Sequence, residues 1–270
     1  MQALRRSETL KEIGEGLTIQ GRVLLALMLR EARTRYGRKQ LGYLWALLEP
    51  AIHITLMMLI FAAIGRAAPL GHSLPMFLAT GFCVFLGFRN VMRRTEGGYG
   101  SNEALLSFPI VKVIDVFLGR ALLELATWLV VIFVLMTVLI MWGHGGLPRA
   151  PLVMLEAVIA LFLLGLGAGI ILGIAGQFYP SLSSFMAPLN RILYFVSGVF
   201  LLPDPMPAAI RDVLAWNPVL HGVTLFRTGY YPSYISHILD VGYLWKSAFI
   251  ALLLALLLEK MTRRRIRNLI

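Results

Sequence analysis

The chain has 270 residues, of which 58% are hydrophobic and only 14% charged, with a mean hydropathy of +0.77. These values exclude an ordinary soluble globular domain. The formal charge of +11 invites a nucleic-acid reading, but the cations cluster beside apolar runs, where membrane topology accounts for them.

The opening stretch MQALRRSETLKEIGEG is charged and has no compact apolar core followed by a small-residue cleavage site, so no cleaved signal is expected. Leu10, Ile13, Leu17, Leu24 and Met28 then fall on one arc at ~100° per residue. Gly14, Gly16 and Gly21 weaken that helix. A break is expected near residues 14–18, with a firmer helix from about 19 to 35 and Thr18 as its N-cap. Arg22 and Arg30 make it too polar to span, so it reads as an amphipathic helix at the membrane surface.

Apolar runs of the ~20 residues needed to cross a hydrocarbon core follow. The expected spans are about 43–64, 75–95, 116–142, 151–175, 179–202 and 241–259, bounded by charges, Gly or Pro. The fold class is an all-α membrane protein of about six spans. It divides into an N-terminal segment 1–42, a membrane domain 43–259 and a basic tail 260–270. Arg5, Arg6, Lys11, Arg22, Arg30, Arg33, Arg35, Arg38 and Lys39 precede the first span, so the N-terminus is expected in the cytoplasm. The tail KMTRRRIRNLI and the cations Arg93, Arg94, Lys112 and Arg120 give the same orientation, with the C-terminus also cytoplasmic. The proline-broken stretch 203–237 carries two apolar pieces of about ten residues, a length that suits re-entrant or interfacial helices.

No G-x-x-x-x-G-K-[ST] motif is present, so this chain supplies no ATPase site. Hydrolase motifs are missing too, and the five histidines are scattered. The single cysteine, Cys83, leaves no disulfide framework and no thiol metal site. No catalytic residue and no metal ligand is assigned.

In the second expected span, Phe82, Arg89 and Arg93 fall within about 40° of one another. An Arg in a span either faces protein or water, or snorkels to lipid phosphates. Arg191 lies mid-way along the fifth expected span, beyond easy snorkelling. It requires a carboxylate partner, with Glu49, Glu124 and Glu156 as candidates, or an aqueous lumen. Glu124 has a second candidate partner in Arg120, one turn away. Gly165, Gly169 and Gly173 form a small-residue stripe that serves packing within the chain or a dimer seam. Asn102 can cap a short helix from Glu103 to Ser107 that stops before Pro109, a lever between two spans or a simple turn. Tyr43 and Trp45 stand where interfacial anchors are found.

Three segments carry a resemblance. "LREARTRYGRKQLGYLWALLEP", "NEALLSFPIVKVIDVFLGRALLE" and "WNPVLHGVTLFR", in that order and across nearly the whole chain, resemble ABC-2 type permeases that export bacterial polysaccharides, and within them the capsule-polysaccharide export permeases of Gram-negative bacteria. The resemblance implies a homodimer joined to two copies of a separate ATP-binding subunit, which binds ATP and Mg; this chain itself holds no cofactor. It implies a lipid-linked glycan as cargo, crossing the inner membrane toward periplasmic and outer-membrane export proteins. By position, Asn102, Glu103, Leu106, Phe108 and Pro109, within a coupling segment 96–115, would seat on the ATPase. Residues 203–237 would match periplasmic re-entrant helices that close the outer mouth. Phe82, Arg89, Arg93, Arg191 and Tyr194 are the expected lining of the path. Arg33, Arg35, Arg38, Lys39, Trp45 and Glu49 are expected at the cytoplasmic doorway. Gly97, Gly98 and Gly100 depart from the family's pattern by making the approach to the coupling segment more flexible. A permease for O-antigen, teichoic acid or a small efflux substrate would share this architecture. A membrane-embedded glycosyltransferase would need a carboxylate cluster for a metal and sugar nucleotide, and Glu96, Glu103 and Asp115 are scattered.

Overall fold

A computed structural model describes residues 2–36, 42–99 and 112–267. The elements in chain order are α1 (Gln2–Tyr36), α2 (Gly42–Ala63), α3 (Leu74–Glu96), α4 (Val113–Met141), α5 (Pro151–Phe178), α6 (Leu182–Val196), α7 (Ala208–Leu214), α8 (Pro218–Tyr230) and α9 (Val241–Arg267). There is no strand among the described residues. With the backbone satisfied inside each helix, this is the architecture of an all-α membrane protein.

Five described helices, α2, α3, α4, α5 and α9, are long and apolar enough to cross a bilayer. Their bounds lie within a few residues of the expected spans, except that α9 continues to Arg267, eight residues past the expected end at 259. The fifth expected span, 179–202, is realised as α6, a 15-residue helix. At 1.5 Å per residue it reaches roughly 22 Å, short of a ~30 Å hydrocarbon core. Gly198, at φ +73° in the turn beyond it, ends the run.

α1 differs from expectation as well. It is one continuous 35-residue helix rather than a helix broken at residues 14–18. A helical glycine costs only ~1 kcal/mol, and the helix is held from outside by packing. Its half-buried stripe, Gln20, Leu24, Leu27, Met28 and Glu31, lies toward α4. There Gly119 admits the close approach, since a Cβ on it would stand 3.1 Å from Leu27. Gln20 donates from Nε2 to the buried Asp115 carboxylate, whose other oxygen accepts the Lys112 backbone N–H at 3.1 Å. Arg120 joins three elements, donating to the Gly97 carbonyl at 2.6 Å and pairing with Glu31 at 3.4 Å.

The bundle centre is α3 against α5. A Cβ on Gly165, Gly169 or Gly173 would lie 3.1, 2.5 or 2.8 Å from the carbonyl oxygens of Phe88, Met92 and Glu96. The glycine stripe therefore packs inside the chain, bringing two backbones together as small-residue stripes do in membranes. On the other face of α5, Gly167 gives α9 the same access at Ala251 and Leu252. Large apolar side chains on α2 and α9, such as Ile52, Leu59, Phe249 and Leu253, remain exposed, the pattern of helices whose outer face meets lipid or another chain.

Candidate functional site

One cleft of about 640 Å³ opens between α2, α3 and α6, lined by His53, Phe82, Arg89, Arg93, Glu96, Met186, Ala187, Asn190, Arg191, Tyr194 and Phe195. All five side chains expected on the path thus meet in one place. The reason is helical phase: Phe82, Arg89 and Arg93 share a face of α3, and Arg191 and Tyr194, three residues apart, share a face of α6.

The walls are chemically graded. Toward the basic end of the bundle stand Arg93, Glu96 and Arg191; no ion pair involves Arg191 among the described residues. In the middle, Arg89 Nη2 donates to Glu49 Oε1 at 2.9 Å and to Asn90 Oδ1 at 3.5 Å. Glu49, one of the candidate partners for Arg191, therefore serves Arg89. Glu156 instead accepts the Trp245 indole N–H at 3.0 Å, and Glu124 lies 4.0 Å from Arg94.

The far end of the cleft is aromatic. Phe82 stacks on His53 with centroids 4.8 Å apart, and Tyr194 contacts Phe82, Phe85, Phe195 and Phe200 at 4.7 to 5.5 Å. His53 Nδ1 lies 3.2 Å from the Glu49 carbonyl oxygen and must donate to it. Pro50, inside α2, has no N–H to give the Ala46 carbonyl one turn earlier. Rings of this kind offer flat apolar faces, and the guanidinium groups offer hydrogen bonds and charge.

Of the residues expected at the doorway, Arg33 is exposed on α1 and Trp45 is exposed at the start of α2. The side chains of Arg35, Arg38 and Lys39 lie outside the described residues. So do Asn102, Glu103, Leu106, Phe108 and Pro109.

The sequence reading missed Arg227. Arg227 is 1% exposed and donates to the carbonyls of Gly198 at 2.5 Å, Val199 at 2.8 Å and Phe77 at 3.4 Å, and to Thr80 Oγ1 at 3.5 Å. Its guanidinium lies 4.2 Å over the Phe77 ring. It joins α8 to α3 and to the turn that follows α6. Gly81 makes room for it, since a Cβ there would come within 2.5 Å of Arg227 Nη2. An Arg satisfied by backbone carbonyls leaves no acidic partner in the sequence to betray it.

The Asn-Pro pair also becomes legible. Asn217 Oδ1 accepts the Val219 N–H at 3.0 Å as the N-cap of α8. Its amide donates to Val196 O at 3.2 Å and Ser197 Oγ at 3.0 Å, tying α8 to the end of α6. His221 is locked in one tautomer: Nδ1 accepts the Asp240 N–H at 3.0 Å, so Nε2 donates to Ala215 O at 2.8 Å. Asp204 gathers the segment before α9, accepting from Tyr234 OH, Ser236 OH and the His237 N–H at 2.8 to 2.9 Å. Burial, followed by the bond to Asp204, pushes the Tyr234 phenol above its ordinary range, so it stays a donor.

A polytopic helical bundle with a cationic and aromatic cleft between its helices is the form of a membrane transport subunit. The family model of the ABC-2 type transporter matches residues 22–231, and the chain belongs to that family. It is 33% identical over 245 residues to the polysialic acid transport protein KpsM of Escherichia coli, covering 91% of this chain and 95% of that one. It is 30% identical over 246 residues to the capsule polysaccharide export inner-membrane protein BexB of Haemophilus influenzae, covering 91% and 93%. It is 33% identical over 221 residues to the capsule polysaccharide export inner-membrane protein CtrC of Neisseria meningitidis serogroup B, covering 81% and 83%.

Proposed function

We propose that this chain is the permease subunit of an exporter that moves an acidic, lipid-linked capsular polysaccharide across the bacterial inner membrane. The observation that carries the reading is the cleft: Arg89, Arg93 and Arg191 are set against Phe82 and Tyr194, in a chain similar over most of its length to capsule-export proteins. Cations attract the acid groups of such a glycan, and aromatic faces suit the apolar faces of sugar rings. The cleft lies open on one side of a single chain, which favours a homodimer whose second copy completes the path. Two ATP-binding subunits supply the free energy, reached through the coupling segment that contains Glu103 and Pro109. Both termini face the cytoplasm, which takes an even number of crossings and makes α6, with the turn that follows it, the sixth; α7 and α8 are re-entrant, α8 running from the level of Leu161 to that of Ala150 along the outer half of α5.

Purification of the tagged protein from its native membranes tests the partnership. It is expected to carry a P-loop ATPase in equal copy number, with ATP hydrolysis that responds to added glycan. A preparation free of any such subunit, and unable to support hydrolysis when one is added, contradicts the reading.

A further inference from the structure

Glu49 stands apart from the cleft it was expected to serve. The large cleft is lined by Arg89 but not by Glu49. Glu49 instead lines a second, much smaller cavity of about 40 Å³, enclosed by α2, α3 and α4 and shared with Asn90, Glu124 and Trp128. Arg89 thus lines the cleft and reaches from it to a carboxylate that lines the smaller cavity. The pair is held at 2.9 Å with both side chains partly shielded, 25% and 34% exposed, and Arg89 Nε is buried without a partner. Through this arrangement the cleft meets a guanidinium whose charge is already balanced from behind.

We propose that Glu49 is a positioning residue that sets how strongly the cleft grips an acidic glycan, by holding Arg89 in place and offsetting its charge. The inference rests on the reading of the cleft as a glycan path. The physical need follows from movement. A polymer that must slide has to be attracted strongly enough to enter and weakly enough to leave, as in any conducting pore. Three uncompensated guanidinium groups around one acidic chain would hold it, because opposite charges in a partly shielded cleft attract more than in bulk water. With Arg89 offset by Glu49, the net attraction falls to Arg93 and Arg191, themselves moderated by Glu96 on the same wall. Arg89 then contributes hydrogen bonds to passing oxygen atoms with its charge offset by the paired carboxylate. Glu49 touches no cargo in this account and acts only through Arg89.

The test compares binding of a short fluorescent oligosialic acid and a neutral dextran oligomer to the complete exporter in nanodiscs, across a range of salt concentrations. Glu49→Gln keeps the shape and a hydrogen-bonding oxygen but removes the charge. It is expected to bind the oligosialic acid about tenfold more tightly at low salt, corresponding to roughly 1.4 kcal/mol, and to export polymer more slowly. The gain should vanish at high salt, and dextran binding should not change. Glu49→Asp, which keeps the charge, should stay near the parent, and adding Arg89→Gln to Glu49→Gln should abolish the gain. Equal or weaker oligosialic acid binding by Glu49→Gln overturns the proposal. If Arg93→Ala with Arg191→Ala still weakens binding in that case, the glycan path survives and only the role of Glu49 falls. If the parent exporter does not distinguish oligosialic acid from dextran, both fall together.

Discussion

Replacing Arg227 with methionine is expected to be the most damaging single substitution in the chain. Its guanidinium holds the Gly198, Val199 and Phe77 carbonyls and the Thr80 hydroxyl in a buried site. Methionine fills most of the volume but donates nothing. Each buried acceptor left unpaired costs about 1–3 kcal/mol, so a loss of about 3 kcal/mol or more follows, roughly 10 °C in the unfolding midpoint of the detergent-purified protein. Arg227→Lys should recover only part of it, because an ammonium is a point donor that cannot reach both sides of the site while stacking on Phe77. Arg22→Met, at an exposed position on α1, should leave the midpoint unchanged. An unaltered midpoint in Arg227→Met would show that the three segments are joined by something other than this side chain.

The second large effect concerns the cleft. Arg93→Ala combined with Arg191→Ala removes two exposed cations that face the same space. A charge contact at such a site is worth about 1 kcal/mol, and the pair together about 2 kcal/mol, so export of an acidic capsule should fall roughly 10- to 30-fold. The readout is the ratio of surface to intracellular polymer in cells that make capsule. The amount of inserted protein, measured in the same cells, should match the parent and so separates a transport defect from failed insertion. Retention of normal export with both cations gone would sink the assignment of this wall to the path.

Much of this was readable from the residues because membrane helices obey two simple constraints, length and phase. Length located α2, α3, α4, α5 and α9. Phase put Phe82, Arg89 and Arg93 on one wall, and the structure adds Arg191 and Tyr194 opposite them. The failures have physical causes. The glycines of α1 do not break it, because contacts with α4 at Leu27 and Gly119 hold a helix that local propensity alone would interrupt. The run 179–202 has enough apolar residues to cross, but the backbone turns at Gly198, and apolar composition does not report a turn. Arg227 was invisible because its acceptors are carbonyls distant in sequence. The ion pair of Glu49 with Arg89 spans 40 positions, and spacing along one helix carries no information about contacts between two.

The chain's role as a permease whose cleft carries glycan is tested most directly by placing a photoreactive phenylalanine analogue at Tyr194, the aromatic that faces Phe82 across the cleft, in cells producing capsule. Illumination should yield an adduct between this protein and the polymer, abundant when the polymer's export is under way and absent when the same analogue replaces Phe249 on the exposed face of α9. Equal yields at the two positions, or adducts at Tyr194 with lipid alone, would contradict a path through this cleft.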